Sequence, residues 1–344
     1  MKKVNFSKIN KFVQMLFIKI GMKRKDAEKI SYCLCETSLR GIDSHGIKLV
    51  PHYIKSGIFG RKNPNPKFKV KMKYTGILTL DANNAFGHIA GLKAIDIGIK
   101  KANKLGICAV SVINSTHPGA MGSIALRASE RGYICFAFTH ADSLIRSTNG
   151  KRPYFGTNPI CFTAPRKNDA PYCLDMSSSI ISWNKLMEIR KIKKKSDIFY
   201  GSNYLGKDTK YLNDIVSLLP TGDYKGFALA SMIEILCGIY SGMNFGRQIA
   251  SMYKTSVKKK RYLSQFYILL KVDGVISKNN FLSRMQKLSK QVRSEPKLKS
   301  KKKVMLPNDP ELKISNIRFS EGIPISNELF LEFKKLSSKY KIAF

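Results

Sequence analysis

Apolar residues recur every three or four positions in two segments near the amino terminus, residues 6–21 and residues 25–39. Side chains with this spacing share one face of a helix, so both segments are predicted to be amphipathic helices. A third helix is predicted over residues 44–57. Pro51 falls inside it and removes a backbone donor, so a kink or break is expected there. The chain therefore begins with a small helical region.

The middle of the chain alternates short apolar, β-branched runs with segments of helical period. Residues 60–76 are rich in proline and lysine and are interpreted as a connector before this part. The predicted strands are residues 77–81, 107–113, 134–139, 160–164 and 172–175, and the predicted helices are residues 91–105, 120–131, 185–195 and 224–240. Strands that alternate with helices are typical of an α/β core.

The last third of the chain predicts one more strand at residues 266–272 and a charged helix at residues 280–292. A lysine-rich loop follows, and a final helix is predicted at residues 327–341. No internal repeat is present, so the chain is not expected to be a repeat protein.

The seven cysteines lie mostly in apolar runs and are predicted to be reduced thiols of the core. An odd number in hydrophobic segments does not fit a disulfide framework, which favours a cytoplasmic protein. No apolar run is long enough to predict a membrane span. The apolar stretch at residues 12–20 contains Gln14 and Lys19 and has no cleavage site, so it is not interpreted as a signal peptide. No cysteine or histidine spacing predicts a metal site.

The formal net charge of +38 raises the question of whether the chain binds nucleic acid, as strongly basic proteins can. The basic residues are dispersed, with local runs at residues 190–195, 258–261 and 297–303. Only the run at 258–261 is bordered by aromatic residues, and no nucleic-acid motif is present. A basic solvated surface is therefore favoured, and no specific nucleic-acid partner is expected. Such a surface would attract anionic cofactors and carboxylate substrates.

The first candidates for chemistry are two histidines in loops. Ser44 and His45 stand where the third helix is expected to start, and Gly46 permits close backbone approach. An imidazole can transfer a proton near neutral pH, although the same pattern fits a helix cap beside a surface histidine. His117 lies in a glycine-containing loop between a strand and a helix. Such a loop can bind an anion through its backbone amides, or it can be an ordinary connection.

Three weaker motifs follow, and each also fits a plain turn or helix start. Thr157 and Asn158 belong to the sequence Gly-Thr-Asn-Pro before a strand, and Asp175 ends a strand. Lys225 stands at a glycine-rich helix entrance. No Gly-x-Gly-x-x-Gly follows the first strand, so a Rossmann dinucleotide fold is not predicted. The sequence at 201–207 mimics a phosphate-binding loop but lacks the required serine or threonine.

Taken together and in this order, the motifs resemble those of the type-2 malate/L-lactate dehydrogenase family, which includes ureidoglycolate and sulfolactate dehydrogenases, diketogulonate reductase and piperideine-carboxylate reductase. The matching elements span nearly the whole chain. They are residues 43–46 with Pro51 and Tyr53, 114–119, 156–159, 175–177, 219–222, 225–226, 306–311 and 321–323.

The resemblance implies an α/β fold with a non-Rossmann, mixed-sheet cofactor domain and a small helical domain built from both chain ends. The implied division is as follows. An N-terminal helical region, residues 1–75, packs with a C-terminal helix at residues 325–344. Residues 76–240 form the cofactor and dimerisation core, and residues 241–324 form a basic part that returns to the core. The resemblance also implies a homodimer and NAD or NADP as cofactor. The implied reaction interconverts a small 2-oxo acid, or a cyclic imine acid, and its 2-hydroxy or 2-amino acid.

Roles for individual residues also follow from the resemblance. His45 would transfer the proton, Ser44 and Asp175 would orient its imidazole, and His117 would line the pocket as the second candidate for the proton. The implied substrate-binding residues are Lys48, Tyr53, Thr157 and Asn158. The implied cofactor-binding residues are His117, Pro118, Gly119, Ala120, Met121, Asp175, Met176, Ser177, Lys225, Gly226, Pro307, Asn308 and Asp309.

Two positions depart from the family pattern. Leu49 stands where family members commonly carry an arginine that grips a substrate carboxylate. Lys48, Lys151 or Arg152 would have to replace it, or the substrate differs. Asn308 replaces a glycine, and asparagine tolerates the left-handed conformation at some cost. These departures leave the substrate open, and they keep a weakened relative that only binds ligand as an alternative, with nucleic-acid binding least favoured.

Overall fold

The computed structural model describes residues 2–300 and 302–344. The α-helices within this part are α1 (Phe6–Lys19), α2 (Arg24–Leu39), α3 (Val50–Ile58), α4 (Gly87–Leu105), α5 (Gly122–Ser129), α6 (Trp183–Arg190), α7 (Tyr224–Glu234), α8 (Lys278–Ser294), α9 (Asp309–Glu321) and α10 (Asn327–Tyr340).

The strands belong to three sheets. They are β1 (Lys2–Val4), β2 (Lys69–Tyr74), β3 (Ile77–Asp81), β4 (Ile107–Ser115), β5 (Tyr133–Thr139), β6 (Ile145–Arg146), β7 (Pro153–Phe155), β8 (Ile160–Ala164), β9 (Tyr172–Met176), β10 (Gly201–Ser202), β11 (Asp208–Thr209), β12 (Ser217–Leu218), β13 (Leu263–Lys271) and β14 (Ile323–Ile325).

The central sheet has the order β2-β3-β4-β13-β5-β8-β9, and it determines where a ligand can bind. β3 and β4 pair in parallel, while the other neighbours pair antiparallel. As a result β3, β4, β5 and β9 run in the same direction, and their carboxyl ends meet at one edge of the sheet. A mixed sheet of this order is not a Rossmann sheet, so the predicted fold class is confirmed.

Both chain ends contribute to one apolar cluster outside this sheet. The Phe12 ring of α1 lies 5.5 Å from that of Phe333 in α10 and 4.7 Å from that of Phe344. β1 pairs with β14, so the first and last parts of the chain are also joined by backbone hydrogen bonds. The apolar face that periodicity predicted for α1 is the face that is buried here.

The structure corrects the predicted helix at residues 44–57. Two 3-10 turns, Asp43–His45 and Ile47–Leu49, precede α3. Pro51 lies in the first turn of α3, where its missing N–H group costs no hydrogen bond. The break therefore comes before the proline, and it leaves His45 in a short turn.

Other differences have simple causes. Residues 60–76, predicted as a connector, include the fully exposed strand β2, which has no buried face to reveal it. α9 was not predicted because it buries no residue and so shows no apolar period. The predicted helix at 224–240 ends as an α-helix at Glu234 and continues as a π-helix, Ile235–Tyr240.

The prediction of reduced core cysteines is confirmed, since all seven are buried and free. Within residues 2–300 and 302–344, no helix is both long and apolar enough to cross a membrane.

Candidate active site

A cavity of about 280 Å³ opens at the sheet edge where β4 and β5 end. Its lining includes three of the predicted site residues, His45, His117 and Thr157. It also includes residues that were not predicted, among them Asp142 and Arg261. Loops at the carboxyl ends of strands supply much of the wall, which is the usual place for ligands in α/β proteins.

Two imidazoles form one wall of this cavity. The ring centroids of His45 and His117 lie 5.7 Å apart, with an angle of 25° between the planes. Nδ1 of His45 lies 2.9 Å from Oγ of Ser44, and Nδ1 of His117 lies 2.7 Å from the hydroxyl oxygen of Tyr53. Each ring is thus oriented through Nδ1, and Nε2 of each has no hydrogen-bond partner among residues 2–300 and 302–344.

Glycines allow the two histidine loops to approach. A Cβ atom on Gly46 would lie 2.0 Å from Oγ of Ser38, so the His45 turn rests directly on α2. Gly119 has a φ of +74°, which favours glycine, and a Cβ there would lie 2.5 Å from Nε2 of His88. The same Cβ would lie 3.4 Å from the carbonyl oxygen of His45. A larger residue at position 46 would push the His45 turn away from α2, and one at position 119 would press on His88 and on the backbone of His45.

Both imidazoles are held neutral near pH 7. Burial, with a smaller effect of Lys48, lowers the pKa of His45 to about 4, although Glu188 opposes the shift. Burial also lowers the pKa of His117 well below its usual value, and the charge of His45 adds to the effect. A neutral imidazole can accept a proton from a hydroxyl group, and it must first take up a proton before it can donate one.

Asp175 does not make the predicted contact with the imidazole of His45. In the described part of the chain its hydrogen bond comes from the backbone N–H of Gly122, at 2.7 Å, at the start of α5. Burial raises the pKa of Asp175 to about 6, although this bond and Arg40 lower it. His45 and Asp175 therefore both approach the loop at 117–122 but are not bonded to each other, and the hydrogen bond to the imidazole comes from Ser44.

Two predicted substrate residues have structural roles. Asn158 is fully buried; its Oδ1 accepts from the backbone N–H of Ala141, and its Nδ2 donates to Glu234 at 2.6 Å. Its amide is thus engaged inside the protein, and its contact with substrate stays a prediction. Tyr53 is also buried and reaches a ligand only indirectly, through His117.

The residues predicted to replace the family arginine do not line the cavity. Nζ of Lys48 lies 2.8 Å from a carboxylate oxygen of Glu188, which pairs it with α6. Lys151 and Arg152 are exposed. Leu49 is 3% exposed and belongs to the apolar cluster of the chain ends, so an arginine at this position would have to leave that core.

The predicted cofactor residues at 225–226 lie against Ser178, which directly follows the predicted cofactor residues at 175–177. A Cβ atom on Gly226 would lie 2.3 Å from the carbonyl oxygen of Thr221 and 2.7 Å from that of Ser178. Lys225 is exposed at the first turn of α7. Oγ of Ser178 is buried and has no hydrogen-bond partner in the part of the chain that the structure describes.

The loop that follows β4 has mostly buried side chains, so mainly its backbone groups are available to a ligand. Ala120 and Met121 are buried, and Pro118 is buried as well. Met176 is half-buried, and Oγ of Ser177 donates to the carbonyl of Ser179. A ligand at this loop would therefore meet backbone groups more than side chains.

The segment at 307–309 is anchored to other elements. Asn308 has a φ of +86°, as its predicted left-handed conformation requires, and its Nδ2 donates to the carbonyl of Pro171 at 2.7 Å. Both carboxylate oxygens of Asp309 accept from Arg293 of α8. This ion pair lowers the pKa of Asp309 and occupies its carboxylate, so the predicted contact of this segment with the cofactor would involve its backbone.

Sequence reasoning missed a second part of the cavity wall, which Asp142, Arg261, Tyr253 and Asn184 form. Arg261 donates to Oδ1 of Asp142, and Oδ2 of Asp142 accepts from the backbone of Met252. The hydroxyl of Tyr253 donates to Oδ1 of Asn184, whose Nδ2 donates to the carbonyl of Ser44. The signal for this wall was the basic run at 258–261 with its aromatic neighbours, which was considered for nucleic acid only.

Comparison with known proteins agrees with this geometry. The family profile described as malate/L-lactate dehydrogenase matches residues 4–334. The chain is 28% identical over 338 residues to a malate dehydrogenase of Pyrococcus abyssi, covering 95% of this chain and 92% of that protein. It is 26% identical over 329 residues to ureidoglycolate dehydrogenase (NAD(+)) of Escherichia coli, covering 95% and 94% of the two chains.

A solved structure is similar over the whole chain. The crystal structure of malate dehydrogenase from Entamoeba histolytica superposes with a TM-score of 0.93 at 28% identity, covering 100% of this chain and 99% of that one. The family match extends over both histidine loops and the sheet edge between them. The chain therefore belongs to the malate/L-lactate dehydrogenase family of oxidoreductases.

Proposed function

We propose that this protein is a nicotinamide-dependent oxidoreductase that interconverts a small 2-oxo acid, or a cyclic imine acid, and its 2-hydroxy or 2-amino acid, with His45 as the acid and base. The observation that carries the proposal is the pair of imidazoles in one cavity wall, each fixed through Nδ1 by a hydroxyl group. A second wall with a buried guanidinium suits a carboxylate substrate.

The residues near the cavity fit a dinucleotide. Gly119 and Gly222 have positive φ angles in loops that lead to α5 and α7. Oγ of Ser178 is buried and lacks a partner among the described residues, and Lys225 offers an exposed ammonium at the start of α7. Helix starts and a lysine suit phosphate groups. NAD and NADP are both compatible with this arrangement, since no acidic ribose selector of the Rossmann type is present.

When bound, nicotinamide would supply a hydride to the C2 carbon of the substrate or take one from it. Residues of the chain itself would accept and donate the proton. In oxidation, the neutral imidazole of His45 accepts the proton of the C2 hydroxyl, while Oγ of Ser44 keeps the ring in place. In reduction, His45 first takes up a proton and then donates it to the C2 oxygen. His117, fixed by Tyr53, contacts the same oxygen and remains the second candidate for the proton.

Two further predictions accompany this function. Seven buried free thiols support a reducing compartment such as the cytoplasm. The homodimer implied by family resemblance stays a prediction, and sedimentation of the purified protein tests it.

The experiment that tests the function is a panel of pyruvate, oxaloacetate, sulfopyruvate and a cyclic imine acid against NADH and NADPH, followed by absorbance. We expect turnover of at least one acid with at least one cofactor, and quenching or a shift of cofactor fluorescence on binding. Cofactor binding without turnover of any acid would favour a relative that only binds ligand. No cofactor binding at millimolar concentration would contradict the proposal.

A further inference from the structure

Arg261 places a buried guanidinium in the lining of the cavity that also holds the imidazoles of His45 and His117. It is 3% exposed, its Nε donates to the carbonyl of Ala250 at 2.7 Å, and its Nη2 donates to Asp142. Its Nη1 has no hydrogen-bond partner among residues 2–300 and 302–344. Two nitrogens thus fix the plane of the group, and the third is left for a ligand in the cavity.

The charge behind this wall is positive and incompletely balanced. Arg61 and Lys62 are both 2% exposed. Arg61 donates to three backbone carbonyls, which carry no net charge, and its Nε has no partner in the described chain. Nζ of Lys62 also lacks a hydrogen-bond partner there and lies 3.5 Å from the ring centroid of Tyr53. Burial lowers the pKa of Lys62 well below its usual value, so its amine adds little charge. The guanidinium of Arg61 is a buried cation without a carboxylate partner among the described residues, and such a cation is costly, so an anion in the cavity would be stabilised.

Other cations near the cavity are less suited to hold an anion. Lys48 is paired with Glu188. Arg247 lines the cavity but is exposed, and its Nε donates to the carbonyl of Pro153. Lys254 is exposed as well. Water weakens ion pairs of exposed side chains, whereas a buried, oriented guanidinium binds a carboxylate with strong charge-assisted hydrogen bonds.

We propose that Arg261 is the residue that binds the carboxylate of the substrate, a role that position 49 cannot take because Leu49 lies in the apolar core. Asp142 is then a positioning residue that fixes the guanidinium. A 2-oxo acid held by its carboxylate at Arg261 directs its C2 oxygen toward His45 and His117. The inference rests on the proposed function and names the group that selects acids among carbonyl compounds.

The test compares the best 2-oxo acid of the panel with its own C1 carboxamide, which has the same shape but no charge at C1. In the wild-type protein we expect kcat/KM for the acid to exceed that for the carboxamide by about 10- to 100-fold, the range of a charge-assisted contact. In Arg261→Met the acid should lose this advantage, mainly through KM, while the carboxamide changes by less than about threefold.

Because Arg261→Met leaves Asp142 without its partner, the double variant Asp142→Asn/Arg261→Met is measured beside it, with cofactor fluorescence as the check that each protein is folded. Arg247→Met serves as the competing candidate. A collapse of the preference for the acid in the Arg261 variants alone supports the inference.

Three results would overturn the inference while leaving the proposed function in place. The wild type could use the carboxamide as well as the acid, the Arg261 variants could keep the full preference, or the preference could collapse in Arg247→Met instead. Failure of the proposed function looks different, because then the wild type turns over no acid at all, and the inference falls with it.

Discussion

Two parts of the cavity wall differ in how their surroundings affect their charge. The His45 and His117 wall loses its charge, because burial lowers the pKa of both imidazoles below neutrality. The Asp142 and Arg261 wall keeps its charge, because guanidinium pKa values lie so high that lowering them leaves the group protonated. The comparison teaches that one cavity can hold both a group that exchanges protons and a group that keeps its charge.

The largest expected effect comes from the imidazole wall. His45→Gln should lower kcat by about 10²- to 10⁴-fold, the usual contribution of a general acid or base, with little change in cofactor affinity. His117→Gln should lower kcat much less, because its Nδ1 is bonded to Tyr53 and its role is to contact the substrate oxygen. Steady-state kinetics with cofactor titrations check both. A greater loss in His117→Gln would transfer the proton role to that residue.

The charged wall should matter for stability. Asp142→Asn leaves a buried guanidinium without its carboxylate, so the free energy of unfolding should fall by about 3 kcal/mol. Asp208→Asn is the matched control, since Asp208 pairs with Arg146 at 41% exposure and should contribute less than about 1 kcal/mol. Urea denaturation measures both. Equal effects of the two changes would show that the cavity pair is solvated.

Acid should destabilise the protein through its buried histidines. The folded-state pKa values of His45, His88 and His140 are lowered to about 4, 3 and 3, below the ordinary value of 6.5. The unfolded chain therefore binds more protons as pH falls from about 6.5 to 4. Each such histidine lowers the free energy of unfolding by up to about 1.4 kcal/mol per pH unit in this window.

Asp175 opposes this trend. Its pKa is raised to about 6, so the folded state gains a proton as pH falls from about 6 toward 3.8, and this contributes stability. One carboxyl group cannot offset several histidines, so the net change should be a loss. Urea midpoints at pH 7.5 and 5 measure it. An unchanged or higher midpoint at pH 5 would mean that the imidazoles are not buried as neutral groups.

The smallest expected effect on stability comes from the buried amine of Lys62, which lies behind the Asp142 and Arg261 wall. Burial, together with Arg261 and Arg61, lowers the pKa of Lys62 well below its usual value. The folded state therefore disfavours the charged amine that the unfolded chain carries at pH 7. Lys62→Met removes this cost and should stabilise the protein by about 1 kcal/mol.

Lys71→Met, at an exposed position of β2, is the control for Lys62→Met and should change stability by less than about 0.5 kcal/mol. Thermal melts measure both variants. Destabilisation by Lys62→Met would show that the amine has a favourable partner in the folded state and would contradict this account of its burial.

Local pattern was enough for much of the fold. The strand at 160–164 was predicted at the bounds the structure shows, and the helices of the chain ends were found within one or two residues, because a buried face imposes its period on the sequence. α9 and β2 were not predicted because neither buries a face against the core, so neither shows an apolar period. The break before α3 depends on how the His45 turn rests on Ser38, a tertiary contact.

The candidate site likewise contains residues that local sequence patterns reveal and residues that only the folded structure brings together. His45 and His117 could be selected from short motifs, and the family resemblance predicted that they meet. The pair of Asp142 and Arg261 lies 119 positions apart in the chain, and no local pattern joins residues at that separation. Asp175 and Asn158 were correctly seen as near the sheet edge, but their hydrogen bonds to Gly122 and Glu234 depend on three-dimensional packing.

The central claim is that the imidazole of His45 carries the proton, and chemical rescue tests it most directly. His45→Ala should lose turnover, and added imidazole, which fits a cavity of about 280 Å³, should restore the rate in proportion to its concentration. The same addition should not restore His117→Ala. Rescue of the His117 variant alone, or wild-type turnover in His45→Ala without imidazole, would contradict the account.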